Sequence, residues 1–272
     1  MRILVTGSNG QIGKELISLL QEDSLLCIDK KSGKNLNDPD VCQEINNFKA
    51  EIVFHLAASF DRLIEPPGFE KANFEDNILA TYNLLNSIGQ QVRQIIFASS
   101  YLVYQKPEYR FDGTKIIYES FPLAPRNLIG ASKLWAEKAI EFQFPDCIVS
   151  HARIFRVYSS NSHCFINHFT DIKKLSGRVN VWNTNGTFDF IHAKDVASAL
   201  LSLFDQKVSG IFNVGTGIGH SIKDVIDLIG VNTIQAQDMD YTEKCYASIG
   251  KIKSITGWEP KITLKEGIKE LL

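Results

Sequence analysis

Met1-Arg-Ile-Leu-Val-Thr-Gly-Ser-Asn-Gly-Gln-Ile-Gly13 opens the chain and decides how the rest is read. Ile3, Leu4 and Val5 form the short apolar run expected of a strand buried on both faces. Gly7, Gly10 and Gly13 follow at once, and Ile12, Leu16, Leu19 and Leu20 then recur at helical spacing, so a helix begins inside the glycine run. Strand, glycine turn and helix in this order suit a dinucleotide pyrophosphate. One glycine permits the tight turn, the next lets the anion approach the backbone, and the last lets helix and strand pack closely. The helix N-terminus adds free N–H groups and the positive end of its dipole. The spacing is G-x-x-G-x-x-G, so the plain alternative, a strand–loop–helix that uses glycines for turning, stays open.

Leu25, Leu26, Cys27 and Ile28 read as a second strand ending at Asp29. A carboxylate roughly twenty residues beyond the glycines can accept both ribose hydroxyls of an adenosine and repels a 2′-phosphate. That favours NAD over NADP, while Lys30 and Lys31 weigh the other way, since a phosphate would recruit them. Ile52 to Ala58 is a third strand and its exit, where Ala57 and Ala58 leave room for a flat ligand. A long helix is expected over roughly residues 70–90, with Asn77 inside it, where asparagine costs propensity and hints at a specific hydrogen bond. Ile95 to Ala98, running into Ser99-Ser100, is the fourth strand. This βαβαβαβ order predicts an α/β fold, a Rossmann-type doubly wound parallel sheet.

Gln105 to Arg126 is polar and proline-punctuated, and reads as a loop long enough to be functional. Further elements follow: a helix from about Leu128 to Phe142, a strand at Cys147 to Ile154, a short strand at Phe188 to His192, a helix from Asp195, a strand at Ile211 to Val214 and a short helix over 264–271. With 272 residues the chain suffices for one large α/β domain with an annexe. At 44% hydrophobic and 22% charged it has the make-up of a soluble globular protein, and a net charge of −2 gives no reason to expect nucleic acid or an anionic membrane. No run approaches a membrane span, and with the first strand starting at residue 2 no signal peptide is expected. Five cysteines without C-x-x-C spacing read as reduced thiols, hence a cytoplasmic protein, and six scattered histidines offer no metal cluster.

The residues quoted so far, taken with later motifs, resemble the extended short-chain dehydrogenase/reductase family, its NAD-dependent nucleotide-sugar epimerase/dehydratase group. The resemblance runs nearly end to end. It covers Thr6-Gly-x-x-Gly-x-x-Gly13, His55-Leu-Ala-Ala58, Asn77-x-x-x-Thr81 and Ser99-Ser-x-x-Val-Tyr104. It continues through Phe190-Ile-His-x-x-Asp-Val-Ala197, Asn213-Val-Gly-x-Gly217, Gly257-Trp-x-Pro260 and Leu264-x-x-Gly267. It implies that Gln11 and Ile12 lie against the pyrophosphate, Asp29 on the ribose, and Asn35 and Leu36 by the adenine. Leu56 to Ala58, Asn77 and Ser99 would line the nicotinamide half, with Lys133 on its ribose and Phe155 beside the ring. Family enzymes oxidise a sugar hydroxyl with a Tyr-x-x-x-Lys pair and a serine or threonine, the phenolate acting as base.

Here that motif departs. Four residues before Lys133, in Asn127-Leu-Ile-Gly-Ala-Ser-Lys133, stands Ile129, which carries no proton. Ser100 and Lys133 match the family positions. Arg156 stands where the family has asparagine, and Phe188 where it has arginine before Asp-Phe-Ile-His. Tyr101, Tyr104 and Tyr118 are the candidates for a replacement base, although packing or loop anchoring is the plainer role of each. The expectation is therefore an NAD-binding Rossmann domain over 1–155 plus 188–214 and a substrate-side lobe over 156–187 plus 215–272. Its function would be NAD(H)-dependent chemistry on a nucleotide-linked sugar; the alternative is a catalytically impaired NAD-binding sensor or scaffold. A homodimer through the helices at 70–90 and 128–142 is implied by resemblance alone.

Overall fold

Apolar segments with almost no solvent contact set the sheet, first of them Ile3, Leu4 and Val5 in β1 (Arg2–Thr6), which are fully buried. The computed structural model describes residues 1–20, 24–60, 67–107, 113–160, 164–237 and 243–272. After β1 come α1 (Gln11–Leu19), β2 (Ser24–Ile28), α2 (Pro39–Phe48), β3 (Ile52–His55), α3 (Phe69–Asn73), a π-helical turn (Phe74–Leu79), α4 (Ala80–Ser87), β4 (Gln94–Ser100) and β5 (Lys115–Ile117). Then follow α5 (Leu128–Gln143), β6 (Ile148–Ile154), β7 (Arg156–Tyr158), α6 (Phe165–Lys174), β8 (Arg178–Trp182), β9 (Thr187–Phe188), β10 (Phe190–His192), α7 (Ala193–Gln206) and β11 (Gly210–Val214). The chain closes with β12 (His220–Ser221), α8 (Ile222–Ile229), β13 (Asn232–Gln237), β14 (Cys245–Ala247), α9 (Gly250–Thr256) and α10 (Leu264–Leu271).

The central sheet has six strands in the order β11-β6-β4-β3-β1-β2, the doubly wound α/β arrangement that the strand–helix alternation predicts. β1 pairs in parallel with β2 and β3, and β3 with β4, with Thr6 opposite both Ile28 and His55. These parallel registers bring the carboxyl ends of three strands level, which is where the glycine turn, Asp29 and Leu56 to Ala58 emerge.

The residues divide into two compact units. The first comprises Met1–Gln105, Pro122–Arg153 and Ala197–Phe212. Its core packs Leu4, Ile28, Leu36, Val53, Leu84 and Phe97 with the helix residues Ala136 and Ile140. The second comprises Lys106–Phe121, Ile154–Val196 and Asn213–Leu272. Tyr158, Ile166, Phe188, Phe190, Val225 and Ile268 lie in its core. There α8 and α10 start at capping boxes, Ser221 with Asp224 and Thr263 with Glu266, which satisfy first-turn N–H groups.

The structure corrects two local expectations. The stretch 105–126 is not wholly loop: Lys115–Ile117 is a strand, paired in parallel with β14. A three-residue strand whose partner lies well over a hundred residues away leaves no local periodicity to read. The expected helix over 70–90 is three pieces, with the π turn holding Asn77.

Candidate functional site

Each glycine of the opening turn has a different physical task. Gly7 sits at φ +72, and a Cβ there would lie 2.7 Å from the Ala57 nitrogen, so β1 turns directly against the exit of β3. A Cβ on Gly13 would meet the carbonyl oxygens of Gly7 at 2.3 Å and Ser8 at 2.8 Å, so α1 is seated on the turn itself. Gly10 differs: its φ is an ordinary −70 and a Cβ would find just the Gly7 oxygen, at 3.1 Å. Gly10 is the N-cap of α1 and no side chain caps that helix. Gln11, Ile12 and Gly13 form the first turn. A bare, uncapped helix start with open space above its glycine is a cradle that fits a pyrophosphate.

Asp29 emerges from β2 beside this turn, largely buried. One carboxylate oxygen accepts from the Asn9 N–H at 2.8 Å and the other from the Lys31 N–H at 2.8 Å. The carboxylate thus holds the glycine turn and keeps lone pairs for hydroxyl donors. Lys30 is turned toward Asp76, with Nζ 2.9 Å from the carboxylate. Asn35 accepts from the Asn37 N–H at 3.1 Å, whereas Leu36 is packed into the core.

Behind the turn runs a chain of buried polar contacts that sequence reading did not single out. Thr81 donates its hydroxyl proton to the Asn77 carbonyl at 2.6 Å. Its oxygen must therefore accept from His55 Nε2, 2.9 Å away. His55 Nδ1 is then the acceptor for the Thr6 hydroxyl at 2.7 Å, whose oxygen takes the Ala57 N–H at 3.3 Å. The imidazole is neutral: burial first, and Lys133 second, push its pKa down to about 3. This relay ties the ends of β1 and β3 to the π turn. Asn77 in turn clamps Ser59, accepting from its N–H at 2.7 Å and donating to its carbonyl at 3.1 Å. The signal was present in Thr6, His55 and Thr81, polar residues at ends of apolar runs.

Lys133 lies one turn after Ile129 on α5, and both are buried. Its Nζ donates to the Ala98 carbonyl at 2.7 Å and sits 4.7 Å from the Phe97 ring centre. Burial lowers the ammonium pKa to about 8, with Glu137 opposing. Ser100 ends β4, and its oxygen accepts the Leu102 N–H at 3.3 Å. Gly130 lets α5 approach there, since a Cβ on it would lie 2.3 Å from the Leu102 oxygen.

Ser99, by contrast, points its hydroxyl at Glu137, 2.5 Å away. Glu137 is fully buried and also takes a two-pronged contact from Arg153, at 3.0 and 2.7 Å. Burial pushes the Glu137 carboxyl up, but Arg153 and Ser99 together outweigh it and hold it low. The Arg153 guanidinium lies 4.7 Å from the Tyr104 ring centre, which places Tyr104 in this structural cluster. Tyr101 is buried, with the Arg126 guanidinium 5.1 Å from its ring centre. An arginine one residue before the end of the strand Cys147 to Ile154 was the signal for this buried pair.

Phe155 and Tyr118 belong to the second unit, Phe155 buried with its N–H on the Val214 carbonyl at 2.9 Å and Tyr118 exposed. There Asp189 accepts from the N–H groups of Thr216, Gly217 and Ala247 at 2.7, 3.0 and 3.1 Å and from the Thr216 hydroxyl at 2.6 Å. That one carboxylate organises the Gly215–Gly217 turn and β14. Among the described residues no group of three or more His, Cys, Asp or Glu is placed to hold a metal ion, and no helix is long and apolar enough to cross a membrane.

Comparison with known proteins adds three findings. Residues 3–215 match the NAD dependent epimerase/dehydratase family. A Methanocaldococcus jannaschii protein named "Putative UDP-glucose 4-epimerase" is 28% identical over 99% of this chain and 97% of its own. Among solved structures, MoeE5 in complex with UDP-glucose and NAD superposes with a TM-score of 0.83 at 23% identity, covering 99% of this chain and 96% of MoeE5. RMD from Pseudomonas aeruginosa complexed with NADPH gives 0.83 at 24%, covering 100% and 98%. These two neighbours share the fold, and the one holds NAD while the other holds NADPH.

Proposed function

The chain belongs to the NAD-dependent epimerase/dehydratase family, and from that premise we propose that it acts on a nucleotide-linked sugar by NAD-linked oxidation, reduction or epimerisation at a sugar carbon. Gly7, Gly10, Gln11, Ile12 and Gly13 take the pyrophosphate, and Asp29 the adenosine ribose. Asn35 and Leu36 lie by the adenine. Leu56, Ala57, Ala58, Asn77 and Ser99 serve the nicotinamide half. When bound, NAD supplies hydride exchange with the sugar carbon. The chain's own part is to orient the hydroxyl and move its proton. Ser100 presents a hydroxyl, Lys133 a buried ammonium, and Ile129 stands in the tyrosine position and moves none.

The observation that supports this reading most is Lys133. Its ammonium is enclosed against Phe97 with a single carbonyl acceptor among the described residues, at 2.7 Å. Burying a lysine this way is costly, and packing alone is better served by methionine or leucine. With a pKa near 8 the ammonium is mostly charged at pH 7, and above that pH it increasingly gives way to the neutral amine, which can accept a proton. The test is NAD-linked turnover on a panel of UDP-, GDP- and dTDP-sugars, followed by NADH absorbance and product analysis. The expected result is slow turnover that rises with pH through about 8. Ile129 favours a second reading, an NAD-binding protein without turnover; full NAD occupancy with no conversion of any sugar establishes it instead.

A further inference from the structure

Arg156 and Phe188, two positions at which the chain departs from the family pattern, are in direct contact. Arg156 opens β7, its backbone N–H donates to the Asp189 carbonyl at 3.0 Å, and its guanidinium carbon lies 3.8 Å from the Phe188 ring centre. The cation is carried on a different strand from the family's, and the vacated position supplies an aromatic face against it.

That guanidinium is under-used. Glu243, the carboxylate paired with it, is 3.9 Å away, beyond hydrogen-bond reach. Nε is buried with no acceptor. The guanidinium makes no hydrogen bond to any described residue, in contrast to Arg153, which is held by a two-pronged contact with Glu137. The Arg156 side chain keeps 23% of its surface open. A planar fork, stacked on one face and making no hydrogen bond to a described residue, has the geometry that takes two oxygens of a phosphate or carboxylate.

We propose that Arg156, backed by Phe188, is the anion-recognising residue of the second unit and takes phosphate oxygens of the substrate's nucleoside diphosphate. The assignment rests on the nucleotide-sugar reading above. Phosphate oxygens also occur in NAD, so the test separates the two sources. Calorimetry is run on wild type, Arg156→Gln and Arg156→Lys with UDP, inorganic pyrophosphate and NAD, with thermal unfolding of each protein. The expected result is UDP binding weakened about ten- to a hundredfold in Arg156→Gln, less in Arg156→Lys, with NAD affinity unchanged. Equal UDP affinity in all three proteins, or an equal loss for NAD, overturns the assignment. If wild type ignores UDP but binds pyrophosphate through Arg156, the anion site stands and the nucleotide-sugar reading falls. Binding of neither probe overturns both. If Arg156→Gln fails to fold, Arg156→Lys decides, because it keeps the charge and loses the fork; wild-type UDP affinity in it refutes the proposal.

Discussion

Replacing Gly10 separates ligand binding from folding more cleanly than any other change in the turn. At Gly10 the backbone is already in an ordinary conformation, and an added Cβ meets one oxygen, at 3.1 Å. Two opposing effects act on stability. Alanine is a poorer N-cap than glycine, at a cost of up to about 1 kcal/mol, while the less flexible unfolded chain returns about 0.4–1 kcal/mol. Gly10→Ala is therefore expected within about 1 kcal/mol of wild type, and Gly10→Val only modestly below it. Gly13→Ala is the contrast. Its Cβ would fall 2.3 Å from one carbonyl oxygen and 2.8 Å from another, so α1 must shift, at about 1–3 kcal/mol. For the cofactor the order reverses, because a side chain at Gly10 occupies the pyrophosphate's place and more than two orders of magnitude in NAD affinity should vanish, about 3 kcal/mol. Urea unfolding and NAD calorimetry on all three variants test this. A Gly10→Val protein that binds NAD like wild type would show that the glycine run only turns the chain. So would a Gly10→Ala variant that lost stability as Gly13→Ala does.

Asp29→Ala should weaken NAD by about 1.5–3 kcal/mol, the worth of hydrogen bonds to a charged group, and narrow any preference over NADP; calorimetry with both dinucleotides checks it, and an equal or reversed wild-type preference removes the ribose role. His55 gives a pH prediction. Its folded pKa, about 3, lies below the ordinary 6.5, so the unfolded chain binds the proton first and stability is lost as pH falls from about 6.5 toward 3. Against a His55→Gln variant, less stable near neutrality, the stability gap should shrink by about 3 kcal/mol between pH 7 and pH 4 in urea titrations. A gap constant with pH would mean that the imidazole is not held neutral.

The sheet was legible where its strands are buried on both faces, so Ile3 to Val5, Ile52 to Phe54 and Ile95 to Phe97 stand out as apolar runs wherever the chain is scanned. The glycine turn was legible as a motif, but not its division of labour, since G-x-x-G-x-x-G says nothing of which glycine faces Ala57 and which faces open space. Asn77 was visible as an odd residue mid-helix, whereas the π turn that aims it leaves no trace in composition. Polar contacts between distant positions were the least legible. Thr6 meets His55, and Ser99 meets Glu137, only once the sheet and α5 are assembled. For the same reason β5 was hidden, because Lys115–Ile117 is a strand only against Cys245–Ala247.

The central claim, NAD-linked sugar chemistry in a site with isoleucine in place of the tyrosine base, is tested most directly by comparing the wild type with Ile129→Tyr. Ile129 is buried one turn before Lys133, so a phenol introduced there starts from the backbone position that the motif requires. General-base catalysis is typically worth ~10²–10⁴-fold. With a panel of UDP-, GDP- and dTDP-sugars and NADH absorbance as readout, the expected result is low wild-type turnover and a rise in Ile129→Tyr within that range. Brisk wild-type turnover that falls in Ile129→Tyr would contradict it, because another base would then already be built into the site.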